Sequence, residues 1–219
     1  MSQFEKKLIE LFGEHVPKEI EELILDDFWI NKDSLTEDEK TVLEKYTNLI
    51  HLSLNNIGFK SLKNFPSIKG LYMLSLNNNE LNGDDFHLLK KLYPGLNKLK
   101  VSGNNIEKIE NLAKLRNLNL RKIEVKENPF SVGNNKYKSK LFDILPDLES
   151  IDHENYRGDS VDTTDYHNVQ EEGEDDDDYC EEYENEKNKK INKDDEDYED
   201  EENEEEDDDD GDDEKDSED

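Results

Sequence analysis

The chain has 219 residues, 60 of them Asp or Glu against 28 Lys or Arg, for a formal net charge of −32. Such a polyanion is repelled by nucleic acid and by anionic lipid, which argues against both as direct ligands, and it has no apolar run of the roughly 18 residues a membrane-crossing helix needs. A single cysteine, Cys180, excludes an internal disulfide and suits a reducing compartment, cytosol or nucleus.

Residues 2–12 read as an amphipathic helix with Phe4, Leu8, Leu11 and Phe12 on one face. Ser2 and Glu5 have capping-box spacing, and Gly13 suits the stop. The charges mixed into this segment do not read as a secretory signal. The helix is expected to be the N-terminal cap of the folded domain.

From residue 20 to about 131 the pattern L-x-x-L-x-L-x-x-N-x-L recurs five times. It appears as Ile20/Leu23/Leu25/Phe28/Ile30, Leu49/Leu52/Leu54/Ile57/Phe59, Leu71/Leu74/Leu76/Asn79/Leu81, Leu96/Leu99/Val101/Asn104/Ile106 and Leu120/Ile123/Val125/Asn128/Phe130. The starts are 29, 22, 25 and 24 residues apart, the period of a leucine-rich repeat. Each xLxLx segment predicts a short strand with leucines inward and the intervening residues on an open face. Parallel pairing of neighbouring repeats predicts an α/β solenoid with one curved sheet. Asn79, Asn104 and Asn128 fall in the turn after the strand, where a buried amide can serve backbone groups that lack sheet partners. Phe28 and Ile57 hold that place in the first two repeats, so the asparagine ladder is expected to begin at the third.

The longest connection carries a second capping box, Thr36 with Glu39, before Val42, Leu43 and Tyr46, and predicts a convex helix. Another helix is predicted over 84–92, with Phe86, Leu88, Leu89 and Leu92, before Pro94 and Gly95 end it. Residues 137–156 read as the C-terminal cap. Tyr137, Leu141, Phe142, Ile144 and Leu145 make an apolar face, and Leu148 with Ile151 a last strand that closes the sheet edge. The leucine-rich repeat domain is therefore expected over residues 1–158.

The open face changes character along the chain. It runs from Glu22 and Asp26, through His51, Asn55, Met73 and Asn77, to Lys98, Lys100, Lys122 and Lys126. A docking surface with polarity along its length is one reading, and ordinary solvated strand faces are the other. The lysine end could also hold an acidic segment of the chain itself in a salt-sensitive contact.

From Asp159 to the end stand 35 acids and 5 lysines, a net of −30, whereas residues 1–158 carry 25 acids and 23 bases, a net of −2. Residues 159–219 are expected to be a disordered acidic tail, because they cannot bury enough apolar area to offset their ordering entropy. Its densest carboxylates are Glu171, Glu172, Glu174, Asp175, Asp176, Asp177 and Asp178, then Glu199, Asp200, Glu201, Glu202, Glu204, Glu205, Glu206, Asp207, Asp208, Asp209 and Asp210. An extended run of this kind carries about one charge per 3.5 Å, close to the roughly 3.4 Å of a nucleic-acid strand. Basic proteins that neutralise phosphates should accept it as a substitute; a solubilising tail with no dedicated partner is the other reading. Tyr166, Tyr179, Tyr183 and Tyr198 interrupt the acids and offer cation–π contacts. No D-x-[DN]-x-[DN]-G loop sets calcium geometry. Lys187, Lys189, Lys190 and Lys193 form a basic island that reads either as a nuclear import signal or as a plain interruption of the acidic run.

Taken together, the chain resembles the acidic leucine-rich nuclear phosphoprotein 32 family. The resemblance rests on Glu22-Leu23-Ile24-Leu25-Asp26, on Leu35-Thr36 with Asn48-Leu49 and Leu52-Ser53-Leu54, and on Leu76-Asn77-Asn78-Asn79 and Val101-Ser102-Gly103-Asn104. The cap residues Tyr137, Leu145-Pro146, Leu148 and Ile151-Asp152, and the acidic tail, complete it. It implies a nuclear protein without enzymatic activity or cofactor, with passage to the cytoplasm. It also implies binding of core histones through tail and curved face, as a histone chaperone that masks histones from acetylation. Inhibition of type 2A protein phosphatase through the repeat domain is the alternative it implies, and mRNA-export adaptors occur in the family too. Ser160 stands where the family carries a phosphorylated serine, with Asp162 and Thr163 following it. The connection 31–48 is longer than the family's, and the tail is shorter and has its lysines inside. A spliceosomal adaptor of the same fold is a third class, disfavoured by the tail's repulsion of RNA. The five histidines are scattered and form neither a metal spacing nor a nucleophile–base pair. The expected state is a monomer.

Overall fold

A computed structural model describes residues 2–29 and 31–161. The carboxylates at 171–210, the lysines at 187–193, the tail tyrosines, His167, Cys180 and the repeat position Ile30 lie outside the described residues, as does the expectation of a disordered tail.

Six short strands form one parallel sheet in chain order: β1 Glu22–Ile24, β2 His51–Ser53, β3 Met73–Ser75, β4 Lys98–Lys100, β5 Lys122–Glu124 and β6 Ser150–Ile151. The register brings Leu23, Leu52, Leu74, Leu99, Ile123 and Ile151 into a single column. Leu25, Leu54, Leu76, Val101 and Val125 make a second buried row behind it. Each fully buried aliphatic side chain contributes about 1.5–3 kcal/mol. One continuous core runs from Phe4 to Ile151. The predicted fold is the observed one.

The turns after the strands are built to a rule. The residue four positions beyond the column leucine has a positive φ in five repeats: Asp27, Asn56, Asn78, Gly103 and Glu127. Asp, Asn and Gly tolerate that left-handed conformation best. Gly103 has a second reason, since a Cβ there would stand 2.2 Å from Asn78 Oδ1.

Inside these turns sits the asparagine ladder. Asn79 Oδ1 accepts from the N–H groups of Ile57, Gly58 and Phe59 at 3.2, 3.0 and 3.0 Å. Its Nδ2 donates to the carbonyls of Leu54, Leu76 and Asn77. Asn104 accepts from Leu81 N–H and donates to Leu76, Val101 and Ser102. Asn128 accepts from Ile106 N–H and donates to Val101, Val125 and Lys126. Each amide thus reaches back one repeat. Asn79 serves the turn of the second repeat, where Ile57 replaces the asparagine.

At the N-terminal end, α1 (Gln3–Phe12) begins with the full capping box of Ser2 and Glu5 and ends at Gly13. Its predicted apolar face is only half right. Phe4 and Leu8 are buried, but Leu11 is 58% and Phe12 48% exposed. Phe4 stacks on Trp29 and meets Phe28 edge-on, with centroids 5.4 and 5.6 Å apart. The arc therefore receives the first two turns of α1, and the last turn projects past it. The second helix, α2 (Glu37–Leu43), carries the predicted Thr36–Glu39 box and buries Val42 and Leu43.

The helix predicted over 84–92 is a 3-10 helix, Asp84–Leu88, followed by one α-turn, α3 (Leu89–Leu92). Phe86 and Leu89 are buried and Leu92 partly so. Their spacing of three suits a helix with three residues per turn. The same spacing governs an unpredicted 3-10 helix, Ile109–Leu115, which buries Ile109, Leu112 and Leu115.

The C-terminal cap comprises α4 (Tyr137–Ile144) and β6. Asp152, one residue past the column residue Ile151, ties the cap to the end of β5. Its Oδ1 accepts from Val125 and Lys126 N–H at 2.7 and 3.1 Å, and its Oδ2 from Tyr137 OH at 2.5 Å. Antiparallel bridges from Ile151 to Glu154 and from Glu154 to Ser160 fold the chain back on itself beyond the edge strand.

Asn79→Ala would strand three N–H groups and the Leu54 carbonyl, since the Leu76 and Asn77 carbonyls keep other donors, whereas Asn104→Ala strands only the Leu81 N–H, because Asn79, Asn128 and the Asn78 N–H still serve the carbonyls of Leu76, Val101 and Ser102. Leaving a buried polar group unsatisfied costs about 1–3 kcal/mol. Urea denaturation should find Asn79→Ala destabilised by about 4 kcal/mol and Asn104→Ala by about 1–2 kcal/mol less. Equal losses at both sites would contradict this reading of the ladder.

Candidate protein-binding surface

The strand face opposite the core is lined by the residues that alternate with the leucines. Parallel neighbours stand about 4.8 Å apart, so these side chains crowd one another. Met73, His51, Ser53, Ser75 and Lys98 are consequently buried, although they belong to the open face. The face offers Met73 mainly as packing between strands.

At its β1 end the face is acidic. Glu22 Oε1 lies 2.6 Å from His51 Nδ1 and keeps most of its side chain exposed. Asp26 accepts from Ser53 OH and from both the backbone N–H and the side-chain amide of Asn55, at 2.7–2.9 Å. Asn55 Oδ1 in turn accepts from Asn77 N–H at 2.7 Å, and Asn77 Oδ1 from Ser102 N–H at 2.9 Å. Asp26, Asn55 and Asn77 thus make a second ladder that ties adjacent repeats together at the ends of their strands. Their polar atoms are largely committed before any partner arrives.

The β4–β5 end is basic and more tightly organised. Glu124 Oε1 lies 3.2 Å from Lys100 Nζ, 3.9 Å from Lys98 Nζ and 3.7 Å from His153 Nε2. Lys122 stands directly opposite Lys98 in the register. Burial, then the charge of Lys100 and that of Lys122, push the Lys98 ammonium below the usual lysine range, with Glu124 opposing them. One carboxylate is therefore shared by two lysines, with the His153 ring beside it. His153 joins the group from the left-handed turn after β6, a placement that the sequence spacing of the histidines did not signal. Lys126 lies beyond β5 and gives its backbone N–H to Asp152.

Ser160 is exposed, yet its backbone is held in the bridge to Glu154. The other described histidines have local work: His15 Nε2 meets Tyr46 OH at 2.7 Å, and His87 Nδ1 the carbonyl of Asp84 at 3.0 Å. Among the described residues no group of three or more His, Cys, Asp or Glu is placed to hold a metal ion. No described helix is long and apolar enough to cross a membrane. A hollow of about 540 Å³ along the turns is lined by Asp27, Trp29, Asn31, Asn56 and Glu80 among others, a set without a nucleophile–base pair.

No protein-family model matches the chain. It is similar to an acidic leucine-rich nuclear phosphoprotein 32-related protein of Plasmodium falciparum, 34% identical over 155 residues, which is 70% of this chain and 54% of the relative. It is also similar to acidic leucine-rich nuclear phosphoprotein 32-related protein 2 of Caenorhabditis elegans, 34% identical over 54% of this chain and 53% of the relative. For acidic leucine-rich nuclear phosphoprotein 32 family member A of Drosophila melanogaster the identity is 34%, over 50% of this chain and 41% of the relative. The chain thus spans about half the length, or less, of these curated relatives. Among solved structures, a chain of the Drosophila melanogaster SNF/U2A' complex superposes with a TM-score of 0.53 at 23% identity, covering 72% of this chain and 84% of that one. This likeness is one of fold.

The crowded lysines make a stability prediction. A charge buried among like charges is often replaced by an apolar side chain of similar length at no loss. Lys98→Met should leave unfolding free energy unchanged or raise it by about 1–2 kcal/mol at neutral pH. With its folded pKa below its unfolded one, Lys98 gives up its proton first in the folded state. The wild type therefore gains stability as pH rises from the folded pKa of Lys98 toward the ordinary lysine value. The advantage of the variant should shrink across that alkaline window. Urea denaturation at a series of pH values measures both, and a loss above about 1 kcal/mol at neutral pH would contradict the assignment.

Proposed function

We propose, on the premise that this chain is a relative of the acidic leucine-rich nuclear phosphoprotein 32 proteins, that it is a non-enzymatic nuclear binder of basic proteins, core histones foremost. The observation that carries the reading is the partition of charge: net −2 over residues 1–158 and net −30 over residues 159–219. In this reading the acidic segment competes with nucleic acid for cationic partners through charge density and counterion release. The repeat domain adds shape, and its β1 end, with Glu22 and Asp26, adds acidity toward the same partners. That the relatives are named nuclear phosphoproteins supports the nuclear setting. Histone chaperoning and shielding of histones from acetylation follow from occupancy of the histone by the polyanion. The alternative, a regulator of type 2A protein phosphatase acting through the repeat domain, instead requires residues 1–158 alone to inhibit.

A pull-down from nuclear extract with the full chain and with residues 1–158, at low and high salt, separates these outcomes. The full chain should retain core histones at low salt and release most of them when salt is raised about fourfold. The shorter chain should retain few at either. Equal retention by the two chains would overturn the polyanion mechanism.

A further inference from the structure

We infer that the β4–β5 end of the strand face binds one phosphoryl group, presented by a phosphoserine or phosphothreonine in a segment of a partner protein. The ammonium groups of Lys98 and Lys100 converge on a single point, the Oε1 atom of Glu124, at 3.9 and 3.2 Å, and His153 Nε2 approaches the same atom at 3.7 Å. Convergence on one atom suits a compact polyanion better than an extended string of carboxylates. Lys98 and Lys100, the two ammonium groups that meet at this point, carry a formal charge of +2 before the competing carboxylate of Glu124 is counted. A phosphoryl group brings about −1.5 to −2 at neutral pH, so one group nearly neutralises the cluster.

Burial sharpens the argument. The side chain of Lys98 is 6% exposed and that of Glu124 15%. Lys98 has given up most of its hydration, and the carboxylate nearest to it is shared with Lys100. Charge-assisted hydrogen bonds to phosphate oxygens would return what burial removed, in a setting less screened than open water. Glu124 now holds the place such a ligand would compete for.

The opposite end of the face specifies the rest of the ligand. Glu22 and Asp26 lie on or just after β1, three to four strand spacings from Lys98 and Lys122, which is about 14–19 Å. An extended peptide advances roughly 3.3–3.6 Å per residue. The preferred partner segment therefore carries Lys or Arg about four to six residues from the phosphorylated one. This site is independent of the histone reading, because it selects an anion and lies within residues 1–161.

The test is a fluorescence-anisotropy titration of the full-length protein. The probes are a labelled phosphoserine peptide with Arg five residues away, the same peptide with plain serine, and inorganic phosphate as competitor. The phosphopeptide should bind more tightly than the serine peptide. Lys98→Met should weaken it about fivefold, the loss of one charge-assisted contact. Glu124→Gln should tighten it severalfold, because the competing carboxylate is gone; a merely structural role for Glu124 would not improve binding. Moving the arginine next to the phosphoserine should cost affinity. Equal binding of the phosphorylated and plain peptides would overturn the site. So would indifference to both substitutions, which would put the anion elsewhere, and so would inorganic phosphate displacing the peptide at the peptide's own concentration.

Discussion

A parallel sheet of three-residue strands leaves most of its backbone outside the ladder. The buried turn amides and carbonyls need partners, and the rest of the structure depends on their finding them. In this protein Asn79, Asn104 and Asn128 supply those partners from inside, and Asp152 does so at the C-terminal end. The leucine columns provide the favourable burial, but burial alone sets no register. The amides do, because each one bonds its own turn and that of the preceding repeat at once. A one-residue slip would break every such pair.

The same constraint shapes the binding face. Asp26, Asn55 and Asn77 form the outer ladder, so their polar groups are structural first. What remains for partners is charge. Because parallel pairing places equivalent positions side by side, like residues in successive repeats become neighbours. Lys98 faces Lys122 across β4 and β5, and Lys100 faces Glu124. The basic cluster is thus a direct product of repeat register, whereas the acidity at β1 comes from Glu22 and Asp26 of the first repeat alone. The arc carries opposite charges at its two ends while remaining near neutral in sum.

Much of this was legible in the residues. The leucine spacing gave five of the six strands, and the two S/T-x-x-E boxes gave the starts of α1 and α2. The asparagines at 79, 104 and 128 announced the inner ladder. Other features depended on three-dimensional neighbours. Leu11 and Phe12 continue the apolar periodicity of α1, but periodicity does not say where the arc ends beneath the helix. Phe86 and Leu89, or Ile109, Leu112 and Leu115, satisfy both helical periods loosely, and only packing against the adjacent repeat selects the tighter one. Strand alternation puts Met73 and Lys98 among the residues between the leucines, yet could not register that neighbours about 4.8 Å away would bury them. The convergence on Glu124 joins residues from β4, β5 and the turn after β6, and no local pattern encodes it.

Native-state hydrogen exchange tests the account most directly. The amides of Ile57, Gly58, Phe59, Leu81 and Ile106 belong to turns, yet each donates to a ladder asparagine. They should be protected nearly as strongly as the strand amides, opening only in the global unfolding of the arc. Exchange of these five at the rate of ordinary surface loops, with the strands still protected, would contradict the claim that buried amides hold the repeats in register.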